Sequence, residues 1–199
     1  MSYHAERKEG AGDGPVFFTF HGTGGNEHQF HRLASELRPD ATVVSPRGDV
    51  SEFGALRFFK RRGEGKYDME DLAQRQAAMA DFLSAEKGER AEAIGLGYSN
   101  GANILAAVAL EQPEIVDSLV LMHPLIPWQP AAQPGLKGRR ILVTAGERDP
   151  ICPKPETERL VDYLKAQGAE VTVHWHPGGH EIVPSEIEAI AMFLEAETV

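Results

Sequence analysis

The chain has 199 residues and a formal net charge of −10, with 42% hydrophobic and 25% charged residues. That balance suits one soluble globular domain over residues 1–199 with a sizeable core, and it argues against nucleic-acid partners, because an acidic surface repels phosphate. The polar start at 1–14 lacks the apolar core of a signal peptide, the apolar stretch 104–110 is too short to span a bilayer, and one cysteine, Cys152, excludes an internal disulfide. A cytoplasmic protein without membrane insertion is therefore expected.

Taken in chain order, short apolar runs alternate with amphipathic stretches. Residues 16–20 (VFFTF) read as a strand, and a weaker signal suggests an antiparallel edge strand around 3–7. The first strand runs into His21-Gly22-Thr23-Gly24-Gly25-Asn26, where glycines let backbone N–H groups turn inward, and a helix is predicted at 27–37. His21 reads as an orienting residue under this loop, not as a second base. A strand at 42–45 follows, then a long connection, 46–68, to a helix at 69–87. That connection carries Arg57, Lys60, Arg61, Arg62 and Lys66. Such a basic run is either a solvated loop or a means of steering an anionic substrate or pairing with nearby carboxylates.

The strand at 93–98 meets a helix at 100–111 through Gly97-Tyr98-Ser99-Asn100-Gly101. A G-x-S-x-G turn between strand and helix is a nucleophile elbow. It forces Ser99 into strained backbone angles and lifts its hydroxyl clear of the sheet, and side chains at 97 and 101 would collide there. Next come a strand at 118–122, the segment His123-Pro124-Leu125-Ile126-Pro127-Trp128, and a strand at 140–145 followed by Asp149. A helix at 155–166, a strand at 171–175, the turn Pro177-Gly178-Gly179-His180 and a helix at 185–195 complete the chain. Ser99, Asp149 and His180 thus appear in the order nucleophile, acid, base, each after a strand. Glu147 is a rival acid, Asp149 before Pro150 also suits a turn, and His180 also suits a helix cap.

In the catalytic reading His180 takes the Ser99 proton, and Asp149 holds the imidazole tautomer and stabilises its positive charge. The backbone N–H groups of Thr23 and Asn100 would hold the oxyanion. No metal is expected: His174, His176 and His180, or His28 and His31, mimic ligand spacing, but no H-E-x-x-H or paired-cysteine motif accompanies them. Gly95, Gly97 and Gly101 do not match a dinucleotide fingerprint, so no such cofactor is implied. Cys152, three residues after the candidate acid, reads as buried packing or as an oxidation-sensitive thiol.

The stretches 21–27 (HGTGGNE), 57–61 (RFFKR), 97–104 (GYSNGANI), 123–127 (HPLIP), 149–152 (DPIC) and Gly179-His180 resemble the small carboxylesterase/phospholipase branch of the α/β-hydrolases. That branch includes acyl-protein thioesterases, and within it the chain is most similar to bacterial MhqD-type hydrolases, which are associated with hydroquinone stress. The resemblance implies a serine esterase with Ser99, Asp149 and His180 as triad and no cofactor. Asn100 stands where the thioesterases usually carry glutamine. The expected fold is α/β: a compact capless α/β-hydrolase, its mostly parallel central sheet covered by helices on both faces. Only residues 125–138 separate two of the strands, too few for a helical cap. The pocket should be shallow, with Phe58, Phe59, Leu125, Ile126 and Trp128 in its apolar wall. The expected activity is hydrolysis of small or medium acyl or aryl esters. A thioesterase or lysophospholipase, and a catalytically silent binding module, are the alternatives. The expected partner is a small-molecule ester, and capless relatives that self-associate leave a homodimer open.

Overall fold

Val16, Phe18 and Phe20 point to one side of their strand and Phe17 to the other, and all four are buried. Apolar residues on both faces of a strand mean that both faces of the sheet are covered. The computed structural model describes residues 3–195; of the polar 1–14 segment, the first two residues lie outside that range. In chain order the elements are β1 (Ala5–Lys8), β2 (Val16–Phe20), α1 (His31–Leu37), β3 (Thr42–Pro46), β4 (Val50–Glu52) and β5 (Ala55–Arg57). Then follow β6 (Arg61–Gly63), β7 (Lys66–Tyr67), α2 (Met69–Lys87), β8 (Ala93–Tyr98), α3 (Asn100–Glu111) and β9 (Ser118–Met122). A 3₁₀ turn (Pro134–Leu136), β10 (Arg140–Gly146), α4 (Lys154–Ala166), β11 (Glu170–His176) and α5 (Pro184–Glu195) complete the series.

Seven strands form one sheet in the order β1-β3-β2-β8-β9-β10-β11. Every pairing is parallel except β1 with β3, where Ala5 lies opposite Pro46 and Lys8 opposite Val43. One apolar cluster joins Phe18, Phe20, Leu119, Leu121 and Val143 to Met79 and Leu83 of α2, Leu105 of α3 and Leu160 and Leu164 of α4. The opposite cluster joins Phe17, Ile94, Leu96, Val120 and Leu142 to Ala34 of α1 and Ile190 and Leu194 of α5. The period-two alternation of the strands thus supplies two cores, one per face. None of the helices among the described residues is long and apolar enough to cross a membrane.

Two local expectations are corrected. The helix predicted at 27–37 begins only at His31. Before it, Asn26 Oδ1 accepts from the His28 amide and Gln29 Oε1 from the Gly22 amide, so these side chains hold a turn instead of a helix face. The connection 46–68 contains two small hairpins, β4–β5 and β6–β7, whose strands of two or three residues are too short to show a period. The antiparallel edge strand foreseen around 3–7 is present, from Ala5 to Lys8 against β3. Between β9 and β10 the chain crosses with a single 3₁₀ turn and no cap helix.

Candidate active site

Ser99 sits between β8 and α3 with φ 53° and ψ −116°, a conformation that a side chain other than glycine rarely adopts. The cause is steric crowding. A Cβ at Gly97 would stand 2.6 Å from the Gly101 backbone, and one at Gly101 would stand 2.4 Å from the Phe20 carbonyl oxygen. Glycine at both positions lets helix α3 abut β2 and β8 directly. The Ser99 amide donates to the Met122 carbonyl at 2.8 Å, which ties the elbow to β9.

Ser99, Asp149 and His180, 81 and 31 residues apart in their contacting pairs, are brought together. His180 Nδ1 lies 2.7 Å from Asp149 Oδ2, and His180 Nε2 lies 2.9 Å from Ser99 Oγ. With Nδ1–H donating to the carboxylate, Nε2 is left to accept the hydroxyl proton. Asp149 Oδ1 accepts from the amides of Ile151 and Cys152 at 2.8 and 2.9 Å. Burial alone would favour its neutral form, but hydrogen bonds from His123, His180 and the Cys152 amide hold its carboxyl well below the usual carboxylate range. Glu147, the rival acid, points to the surface and pairs with Lys154 at 3.3 Å. Tyr98 donates its hydroxyl to the His180 carbonyl at 2.6 Å and so pins the histidine loop over the elbow.

Thr23 and Asn100 border the same cavity as Ser99. In the Gly-rich turn, the amides of Gly22, Gly24 and Gly25 are engaged by Gln29 Oε1, Leu56 O and Gly22 O. The Thr23 amide enters none of these bonds. Its hydroxyl accepts from Arg57 Nη1 at 2.8 Å. Asn100 Oδ1 accepts from the Phe58 amide at 2.7 Å, anchoring the 46–68 segment to the elbow. Beneath the turn, His21 Nδ1–H donates to Gly22 O at 2.7 Å and Nε2 accepts from the Gly48 amide at 2.9 Å. Burial lowers its affinity for a second proton, which fits this neutral, orienting role.

The cavity beside Ser99 has a volume of about 280 Å³. Leu125, expected in the wall, is there. The other four expected residues are not, and this is a correction. Phe58 and Phe59 are fully buried below the cavity, Phe58 against Phe20 and His21, and Phe59 against Tyr67. Ile126 joins the main core, and Trp128 borders a separate depression with Met69, Leu72 and Leu110. Hydrophobicity drove Phe58 and Phe59 beneath the surface, leaving Arg57, Tyr67 and Asn103 as wall. Asn103 bridges Leu125 N (2.7 Å) and Tyr67 Oη (2.8 Å), and Tyr67 in turn donates to Leu125 O at 2.9 Å. Arg57 is buried, while Arg61 is paired with Glu52 and Glu64, Lys60 with Asp71 and Arg62 with Asp68. The basic run is therefore largely matched by carboxylates.

Two residues at the site's back escaped the sequence reading. His123 follows β9 with φ 49° and is wholly buried. Its Nδ1 lies 3.0 Å from Asp149 Oδ2, the same oxygen that His180 uses, and its Nε2 lies 3.0 Å from Glu186 Oε1. Glu186, in the first turn of α5, is also fully buried and accepts from Thr144 Oγ1 (2.6 Å) and the Val183 amide (2.8 Å). Burial opposes a charge on His123, but the two carboxylate bonds outweigh it and push its pKa up to about 9. The motif HPLIP marked the position of His123 but not its partners. The clusters His123–Asp149–His180 and His123–His176–Glu186 have metal-like proximity; in the first both histidines hydrogen-bond Asp149, and in the second His123 hydrogen-bonds Glu186 while His176 Nε2 stands 3.6 Å from it. His174 turns away to Ser185 Oγ at 3.0 Å, and His31 to Ser45 Oγ at 2.8 Å.

Cys152 is buried and donates its S–H to the His123 carbonyl at 3.2 Å. Burial pushes its thiol up, away from the reactive thiolate. A colorimetric thiol reagent is therefore expected to leave the native protein unmodified for hours and to titrate one thiol per chain after unfolding. Rapid modification of the folded chain would overturn the packing role.

An elbow serine on a parallel sheet, with a histidine and a carboxylate on loops after later strands, defines an α/β-hydrolase. The chain belongs to the dienelactone hydrolase family, whose model matches residues 56–183. It is 40% identical over 177 residues to MhqD of Bacillus subtilis (strain 168), a protein named as a hydrolase, covering 87% of this chain and 88% of that one. The solved structure of Atu2452 from Agrobacterium tumefaciens, a protein of unknown function, is 53% identical with a TM-score of 0.92, covering 98% of this chain and 96% of that one. A carboxylesterase from Bacillus cereus is 36% identical with a TM-score of 0.90, covering 98% and 94%.

Proposed function

We propose that the chain is a serine carboxylesterase acting on small or medium acyl or aryl esters through an acyl-enzyme. The observation that carries this is the continuous path Ser99 Oγ, His180 Nε2, His180 Nδ1, Asp149 Oδ2, with links of 2.9 and 2.7 Å. His180 takes the hydroxyl proton as Ser99 attacks the ester carbonyl, and the N–H groups of Thr23 and Asn100 receive the oxyanion. The imidazolium then gives its proton to the leaving alkoxide or phenoxide. Water, activated by His180, attacks the acyl-enzyme and releases the acid. A cavity of about 280 Å³ with Arg57, Tyr67 and Asn103 in its wall supports short or aromatic acyl groups over long lipid tails.

Labelling with a fluorophosphonate probe tests the reading. One adduct per chain at Ser99, absent from Ser99→Ala, is expected, together with faster turnover of short p-nitrophenyl esters than of acyl-CoA or lysolipid. A chain that neither labels nor turns over any of these would be a silent binding module.

A further inference from the structure

Most of the charge behind the triad is accounted for by neither the nucleophile nor the base. Two carboxylates, Asp149 and Glu186, are buried within hydrogen-bonding distance of the two ring nitrogens of one imidazole, each at 3.0 Å. A neutral imidazole has one N–H, so one of these contacts would oppose two lone pairs. Moving the missing proton to a carboxyl does not fit either. Asp149 already accepts from His180 and two amides, and Glu186 from the Thr144 hydroxyl and the Val183 amide. Glu186 also sits in the first turn of α5, where the helix favours a negative charge.

We propose that His123 is a positioning residue held as a buried imidazolium, which clamps the Asp149 oxygen shared with His180 and so fixes the carboxylate that orients the His180 ring. This rests on the serine-hydrolase reading of the site. The ring of His123 lies 5.1 Å from that of His180, centre to centre. A charged donor on Asp149 Oδ2 makes a stronger and more directional bond than a neutral one, so the carboxylate that accepts from His180 Nδ1 is held in one orientation. The other groups facing His123 are His176 from the end of β11, with ring centres 5.4 Å apart, Tyr98 from β8 at 5.7 Å, and the Cys152 thiol on its carbonyl. Glu181 adds a more distant carboxylate at the surface. His176 Nδ1 accepts from the Gly178 amide and its Nε2 lies 3.6 Å from Glu186, so it backs the second carboxylate without entering the chain of bonds.

Two measurements test the clamp. In protein labelled with ¹⁵N at histidine, His123 is expected to show both ring nitrogens protonated from pH 6 to pH 8; a single ring proton at pH 7, or an ordinary titration near pH 6.5, overturns the proposal. Asparagine suits the positive φ of this position and can imitate the Nδ1–H donor without the charge. In His123→Asn kcat is expected to fall by about tenfold or more with KM nearly unchanged, because Asp149 loses its charged donor while the cavity wall is untouched. An unchanged kcat, or a loss carried by KM instead of kcat, also overturns the proposal. Should the variant not fold, the spectrum of the native chain still decides. Absence of Ser99-dependent turnover in the native chain would strike the hydrolase reading and leave the spectroscopic result standing.

Discussion

Ser99→Ala is expected to lower kcat/KM by about five to six orders of magnitude while leaving the melting temperature nearly unchanged. The turn at Ser99 is built by the glycines around it, and alanine keeps the Cβ that already occupies the strained conformation. What disappears is the oxygen 2.9 Å from His180 Nε2, and with it the proposed covalent route. The remaining rate would come from the oxyanion donors acting on water. Asp149→Asn should cost about three to four orders, because an amide in place of the carboxylate disturbs the tautomer that leaves Nε2 free. In this chain the same change also strips His123 of one of its two acceptors. Steady-state hydrolysis of p-nitrophenyl acetate checks both. More than about 1% residual activity in Ser99→Ala would remove Ser99 from the mechanism.

Gly146→Ala should damage stability and catalysis together. Gly146 ends β10, three residues before Asp149, and a Cβ there would stand 1.9 Å from the Gly179 carbonyl oxygen and 2.7 Å from that of Gly178. Both obstacles are backbone of the loop that presents His180, so no side chain can turn aside to make room. The amides of Glu147 and Arg148 also hold this loop, through the carbonyls of His176 and Gly178. Relief must come from moving the loop as a whole. Overpacking of this kind costs roughly 2–4 kcal/mol, or about 5–10 °C in Tm for a chain of this size. A displacement near 1 Å of the imidazole costs about 100-fold in kcat/KM. Thermal melts and kinetics on the variant check both numbers, and a native Tm with native rates would mean that the close approach does not exist.

The central strands were legible because each is a dense apolar run bounded by turn residues, and the elbow because glycine, serine and glycine occur at a strand-to-helix junction. Asp149 and His180 were legible by position after β10 and β11. The hairpins in 46–68 were not, since β6 and β7 are mostly charged and too brief for alternation to register. The cavity wall was misread for a different reason. Apolar character says that Phe58, Phe59 and Ile126 leave water, not whether they do so beside the site or under it. His123 is the hardest case, because its chemistry comes from carboxylates 26 and 63 residues away, and Glu186 looks in sequence like an ordinary acidic residue opening a helix.

The two halves of the proposed proton-transfer couple have unequal mechanical backing. Ser99 follows β8, which has neighbours on both sides, whereas His180 follows β11, the outermost ribbon, zipped to β10 alone. Peeling that rim by a few rungs would disarm the chemistry while the middle of the globule stands, so reactivity reports on the molecule's perimeter before its heart.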